Sequence, residues 1–168
     1  LVDKESGEML DYRTLHSSWS ELPKGVRREA SSKDLQDIIR RGEREDIEFK
    51  ETLTNPEDIV KTIVGFANTR GGMLFLGVND QGQVIPLKQD PAVVETKIRS
   101  WTRDWCQSSI QMDIQPANLY DQQVVLVLVK ESTDKPCWMR DKGPIIRYGS
   151  SNRVASREET ERMLRKET

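Results

Sequence analysis

Apolar residues follow two different spacings along this chain, and the change between them predicts an alternation of helices and strands. Spacings of three and four residues mark helical faces at residues 35–39, 59–67 and 94–105. Alternating or continuously apolar segments predict strands at residues 46–53, 73–78, 84–85, 110–115, 124–130 and 145–147, with 137–139 as a further candidate. This order predicts an α+β fold, in which helices pack on a mixed, largely antiparallel sheet.

Polar residues at the helix starts sharpen these limits. The predicted N-caps are Ser31, Asn55, Asp90 and Ser156. Pro56 follows one cap at the first helical position, and Glu159 completes a capping box in the last helix. The first helix has a glycine stop at Gly42. The chain therefore carries its own signals for four helices.

Two of the predicted strands differ in their exposure. Ile47 and Phe49 point to one face of the first strand, while Glu48 and Lys50 point to the other, as in a half-buried strand. Residues 73–78 are almost entirely apolar, which predicts a central strand that is covered on both faces.

The composition limits the class of protein. With 168 residues, of which 35% are apolar and 32% charged, the chain is long enough for one domain with a single core. The net charge of −2 and the pI near 5.6 argue against a coat for DNA of any sequence, because such proteins gain affinity by neutralising phosphates. No apolar run approaches the ~20 residues of a membrane span, so we expect no membrane partner.

The chain ends and the cysteines suggest a cellular setting. The chain starts at Leu1 without a secretory leader, so we expect a piece of a longer cytoplasmic protein with a further domain upstream. Residues 1–30 have little apolar periodicity and are predicted to form an extended arm or linker, which leaves 31–168 as the folded domain. Cys106 and Cys137 lack metal-ligand spacing, as is typical of a reducing, intracellular protein.

Three carboxylates and a lysine lie at positions from which they could converge. Glu43 follows the first helix, Glu48 and Lys50 share a strand face, and Asp80 follows the apolar strand. Such carboxylates repel one another unless a cation lies between them, and Mg²⁺ or Mn²⁺ prefers oxygen ligands. We therefore predict Glu43, Glu48 and Asp80 as metal ligands, with Lys50 stabilising charge. The alternative is a solvated acidic turn, with Asp80 merely shaping an Asn-Asp-x-Gly turn.

The pattern does not favour other cofactors. One histidine and two separated cysteines do not make a zinc site. Residues 68–72 close a helix at its C-terminal end, whereas nucleotide phosphates bind at helix N-termini, and no Walker lysine pattern is present. We expect neither zinc nor ATP.

A basic segment near the end of the chain is the candidate nucleic-acid surface. Its cations are Arg140, Lys142, Arg147, Arg153 and Arg157, against the single acid Asp141. They alternate with groups that suit phosphates and bases, namely Tyr148, Gly149, Ser150 and Asn152. The alternative is an ordinary solvated charged face.

Four separated motifs together resemble the Schlafen-type AlbA-like domain. They are EFKE, FANTRGG, MLFLGVNDQG and IIRYGSSNRVASREE, and the resemblance covers about residues 43–159. It implies a single lobe of that fold and a nucleic-acid ligand, with RNA expected over DNA.

The resemblance also implies roles for individual residues. Glu43, Glu48 and Asp80 match a carboxylate triad that cuts tRNA and related structured RNA with Mg²⁺ or Mn²⁺, and Lys50 matches the lysine of the EFK motif. The late basic motif implies contacts to the nucleic-acid backbone, and the residues that match it are Arg147, Ser150, Ser151 and Asn152. Because Glu43 is followed by Arg44 and Glu45, either glutamate remains open as the first carboxylate. Active members use two lobes, so a homodimer or a partner lobe is expected.

Three functions follow from these observations. The first is a metal-dependent endoribonuclease that acts on tRNA-like RNA. The second is a non-catalytic DNA- or RNA-binding module of a transcriptional regulator or defence protein. The third is a protein-interaction scaffold, which internal pairing of the basic segment with surface acids would favour.

Overall fold

The computed structural model describes residues 32–166. Its elements are α1 (Ser32–Arg40), β1 (Ile47–Lys50), α2 (Pro56–Asn68), β2 (Gly72–Leu76), α3 (Pro91–Trp105), β3 (Met112–Leu119), β4 (Gln122–Val129), β5 (Trp138–Met139), β6 (Gly143–Tyr148), β7 (Ser151–Val154) and α4 (Arg157–Leu164). The α+β prediction is confirmed. The predicted arm at residues 1–30 and the cap at Ser31 lie outside the described residues.

The central sheet has four strands in the order β1-β2-β4-β3. β1 and β2 are parallel, and the other pairs are antiparallel. One face of the sheet, including Met73 and Phe75, packs against α1, and the other, including Leu74 and Leu76, packs against α2 and α3. Residues 73–76 are fully buried, which confirms the prediction of a central strand covered on both faces.

A second sheet of three antiparallel strands, β5-β6-β7, packs against α2. The buried side chain of Asn68, at the end of α2, connects this helix to the second sheet and to the segment that precedes it. Its Nδ2 donates to the carbonyl oxygens of Cys137 and Ile145 at 2.9 and 2.8 Å, and its Oδ1 accepts from Cys137 N at 2.6 Å. The side-chain amide of Asn68, the asparagine of the FANTRGG motif, is therefore used in hydrogen bonds inside the protein.

The helix caps form as predicted at three sites. Asn55 Oδ1 accepts from Asp58 N at 3.1 Å, and Asp90 Oδ1 accepts from Ala92 N at 2.8 Å. In α4 both hydrogen bonds of the Ser156 capping box are present. Within the described chain, no helix is long and apolar enough to cross a membrane.

Two strand predictions need correction. Residues 84–85 make only a single bridge, between Val78 and Val84, rather than a strand. β3 continues past the predicted end to Leu119 through Pro116, which an edge strand tolerates because one side of it needs no ladder hydrogen bonds. β7 has no counterpart in the sequence analysis, because three of its four residues are polar.

Candidate functional site

A buried ion pair connects the two sheets. The side chain of Arg147, on β6, is 0% exposed, and its Nη1 lies 2.7 Å from Oε2 of Glu48 on β1. Nη2 donates to the carbonyl oxygens of Arg44 and Ile47 at 2.8 and 3.0 Å. The guanidinium also lies 5.0 Å from the centre of the Phe66 ring, within cation–π range. The Arg147 side chain therefore offers no exposed atom to a phosphate and instead holds β6 against β1.

Glu48 has a second cation beside it. Lys50 Nζ lies 2.6 Å from Glu48 Oε1 and 2.7 Å from Asp58 Oδ2. Burial acts to lower the pKa of Lys50, but the hydrogen bonds to Asp58 and Glu48 outweigh it and raise that pKa. Both oxygens of the Glu48 carboxylate thus face cations of the protein.

Glu43 lies close to the same carboxylate. Its Oε1 accepts a hydrogen bond from Phe49 N at 3.0 Å. Burial raises the pKa of Glu43, and the negative charges of Glu48 and Asp80 raise it further. Glu45 instead points towards Arg70, at 4.0 Å. Of the two glutamates left open by the sequence, Glu43 is the one that neighbours Glu48 and Asp80.

As placed, these acids do not fit a magnesium or manganese ion. Among residues 32–166 no three acidic, histidine or cysteine side chains come close enough together to hold a metal. Glu48 is held between Lys50 and Arg147, and the pair of cations already supplies the positive charge that a metal would contribute. The predicted ligands share a neighbourhood without converging on one point.

The same groups close the outer edge of β1. The Ile47 amide donates to Arg44 O at 3.2 Å, and its carbonyl accepts from Arg147. The next outward amide, that of Phe49, donates to Glu43. Two charged side chains thus bond backbone groups that would otherwise face solvent at the sheet border.

Most cations of the basic segment form ion pairs with acidic side chains of the same chain. Lys142 Nζ lies 3.0 Å from Glu57, and the Arg157 side chain lies 2.9 Å from Glu161. Arg153 makes two hydrogen bonds to Glu159, at 2.7 and 2.8 Å. Arg140 is exposed and has no ion pair with any residue that the structure describes. The predicted cations therefore do not form one continuous basic patch.

The β6–β7 hairpin divides the predicted contacts into inward and outward groups. Asn152 turns inward, where its Nδ2 donates to Thr62 Oγ1 at 3.0 Å and its Oδ1 accepts from Arg147 at 3.3 Å. Ser150 and Ser151 are exposed at the tip. Tyr148, which the sequence analysis noted among the groups that suit phosphates and bases but did not assign as a backbone contact, is 73% exposed at the tip. Its place among the cations was visible in the sequence, but its exposure depends on the hairpin.

Comparisons with known proteins agree with this fold. A protein-family model described as Schlafen, AlbA_2 matches residues 43–156. The chain is similar to the N-terminal domain of an ATP-dependent DNA helicase RecG-related protein from Nitrosomonas europaea, with 25% identity and a TM-score of 0.56 over 76% of this chain and 91% of that domain. It is also similar to the DIP2311 protein from Corynebacterium diphtheriae, with 20% identity and a TM-score of 0.57. That match covers 89% of this chain but only 30% of the DIP2311 chain. No curated protein matches.

Proposed function

This chain belongs to the Schlafen AlbA_2 family, and we propose that its domain binds nucleic acid through the tip of the β6–β7 hairpin. The observation that carries the proposal is the exposed set of Tyr148, Ser150 and Ser151, whose side chains make no hydrogen bond to the described residues. Hydroxyl and aromatic groups are common contacts for phosphates and bases. Similarity to a domain of a DNA-helicase-related protein supports the same class of ligand.

Electrostatics should contribute little to this binding. Of the cations in residues 140–157, Arg140 is the one without an ion pair among the described residues, and it lies at the other end of β6 from the tip. Each neutralised phosphate adds about 0.7–0.9 to the slope of log affinity against log salt concentration. We therefore expect a shallow slope of about 1 to 2, well below that of a basic DNA-binding protein.

Fluorescence anisotropy tests this proposal. Purified protein would be titrated into labelled tRNA, single-stranded RNA, single-stranded DNA and double-stranded DNA at several salt concentrations. Replacing Arg140 by Ala should lower the salt slope by about 1, because it removes the cation of this segment that has no ion pair with a described residue. Absence of binding to all four ligands at low salt would overturn the proposal.

A finer proposal is that the domain also cuts tRNA-like structured RNA with Mg²⁺ or Mn²⁺. It is favoured by the position of Glu43, whose pKa is raised by burial and further by the negative charges of Glu48 and Asp80. Two observations oppose it. Glu48 already forms ion pairs with Lys50 and Arg147. Among residues 32–166, no three acidic, histidine or cysteine side chains are placed to hold a metal ion. The alternative within the same family is a non-catalytic binding module.

Asp80→Asn is the sharpest variant for a cleavage assay on labelled tRNA with Mn²⁺ or EDTA. Asp80 is exposed and makes no hydrogen bond or ion pair with the described residues, so the change should not disturb the fold. Asp121→Asn is the matched control, since Asp121 is exposed in the β3–β4 turn at φ +60°, a conformation that Asn tolerates. Metal-dependent cutting that only Asp80→Asn loses would support the nuclease. Cutting that persists in EDTA or in Asp80→Asn would contradict it. A wild-type protein that binds RNA without cutting it would favour the non-catalytic binding module.

A protein-interaction scaffold is the second candidate, and the internal pairing of Lys142, Arg153 and Arg157 with acids favours it. The binding assay separates it from the first, because a scaffold would bind none of the nucleic acids at low salt. We further propose that a second copy of the lobe is needed to grip a duplex. Sedimentation of the protein with and without double-stranded RNA should then show a dimer in the complex.

A further inference from the structure

The tip of the β6–β7 hairpin has the features of a stacking platform, and we propose that Tyr148 stacks on an unpaired nucleobase. This inference rests on the proposed nucleic-acid binding and narrows it to ligands with an unstacked base. Aromatic side chains bind single-stranded nucleic acid in this way because every base has a π-face.

The exposed ring of Tyr148 lies within cation–π range of an arginine. The guanidinium of Arg153 lies 5.6 Å from the ring centre. Arg153 is itself fixed by two hydrogen bonds to Glu159, and Glu159 also accepts from Ser156 N at 2.7 Å in the cap of α4. A contact that restrains the ring reduces the conformational entropy that is lost when a ligand stacks on it.

The tip leaves space for a ligand. A Cβ added at Gly149 would meet no heavy atom of the described residues within 4 Å. Ser150 and Ser151 are exposed beside it and offer hydroxyl donors for a phosphate. At this tip a bound nucleotide would therefore place its base against the Tyr148 ring and its phosphate against the hydroxyls of Ser150 and Ser151.

The tip is also anchored firmly. Tyr148 follows directly after Arg147, whose guanidinium contacts Glu48 and two carbonyl oxygens of the β1 region. Tyr148 thus follows a residue that is bonded to the β1 region, while its own ring faces solvent, unlike the ring of a core residue. The second exposed tyrosine of the described residues, Tyr120, is 52% exposed in the β3–β4 turn and has no arginine over its ring among those residues.

The test compares bases with phosphates alone. Anisotropy would be measured with a labelled oligoadenylate RNA and with an abasic strand of the same length, which keeps the phosphates but removes the bases. The wild type should bind the oligoadenylate tighter than the abasic strand. Tyr148→Ala should weaken oligoadenylate binding roughly 5- to 100-fold and abasic binding little, as expected for the loss of one stacked base.

Two further variants control for structure and for the phenol hydroxyl. Tyr120→Ala should leave both affinities unchanged, and Tyr148→Phe should keep the preference for the oligoadenylate because it retains the ring. Thermal melts of all three variants should match the wild type, since both tyrosines are exposed.

The outcomes separate the two proposals. If the wild type binds both strands equally, or if Tyr148→Ala loses affinity for both equally, the stacking inference fails while nucleic-acid binding stands. If the wild type binds neither strand nor the tRNA and DNA ligands, the proposed function fails. A ring-dependent preference for bases supports both.

Discussion

The guanidinium of Arg147 lies 2.7 Å from the carboxylate of Glu48, and this contact joins the second sheet to the edge strand of the first. Both side chains are almost completely buried. Removing one partner of such a pair leaves an uncompensated charge in the interior, which usually costs more than the intact pair contributes.

We expect Arg147→Ala to lower the free energy of unfolding by about 3–5 kcal/mol. Urea denaturation followed by circular dichroism would measure the loss. Arg157→Ala is the control, because its side chain is 92% exposed and its pair with Glu161 should contribute less than about 0.5 kcal/mol. Equal effects of the two variants would contradict the interior role of Arg147.

Coupling between the pair is a separate prediction. The double variant Glu48→Gln with Arg147→Met should be less destabilised than the sum of its single variants, because neither buried charge is left alone. We expect a coupling of about 1–3 kcal/mol. Additive losses would mean that the two side chains stabilise the fold independently.

Asn68→Ala should destabilise the protein by about 3 kcal/mol, because it leaves buried backbone groups of Cys137 and Ile145 without their partner. Asn118→Ala, at an exposed position on β3, provides the comparison and should have little effect. The midpoints of urea denaturation of both variants test this. A small loss for Asn68→Ala would show that water replaces the amide.

Gly65→Ala should be destabilising, although alanine normally favours a helix over glycine by about 1 kcal/mol. An added Cβ at Gly65 would lie 2.8 Å from Asn152 Oδ1, which is held by its hydrogen bond to Arg147. We expect a loss of about 1–3 kcal/mol. Combining it with Asn152→Ala removes the clashing atom, so Gly65→Ala should cost less in that background than in the wild type.

The stability of α4 should depend on acid pH. The hydrogen bonds from Arg153 and from the Ser156 backbone lower the pKa of Glu159 from 4.5 to about 2. Because the pKa is lower in the folded state, the stabilisation is fully present above about pH 4.5 and is lost as the pH falls towards 2. The difference in Tm between wild type and Glu159→Gln should therefore be largest near neutral pH and shrink below pH 4.5. A difference that is constant with pH would contradict this linkage.

The central sheet was predictable because its strands carry the expected apolar pattern, and β2 is buried on both faces as its composition indicated. β7 was not, because its inward position facing Arg147 is Asn152 rather than an apolar residue. Where a buried ion pair and an amide replace apolar side chains, hydrophobic periodicity no longer reports the strand.

The site shows the same division. Local spacing placed Glu48 and Lys50 on one face correctly, since strand geometry alone determines it. No local pattern reveals that Arg147 reaches Glu48, because the contact depends on how two sheets pack. The metal ion, the homodimer, the upstream domain and the cytoplasmic location stay predictions.

The closed border of β1 has a consequence for solubility. An open sheet edge can template another extended chain, and that is a common first step in aggregation. Glu43 and Arg147 occupy hydrogen-bonding groups at this border, so a neighbouring molecule cannot continue the sheet from β1. Side chains that the sequence suggested for catalysis and recognition thus also block edge-to-edge pairing at β1, one of the two edges of the central sheet.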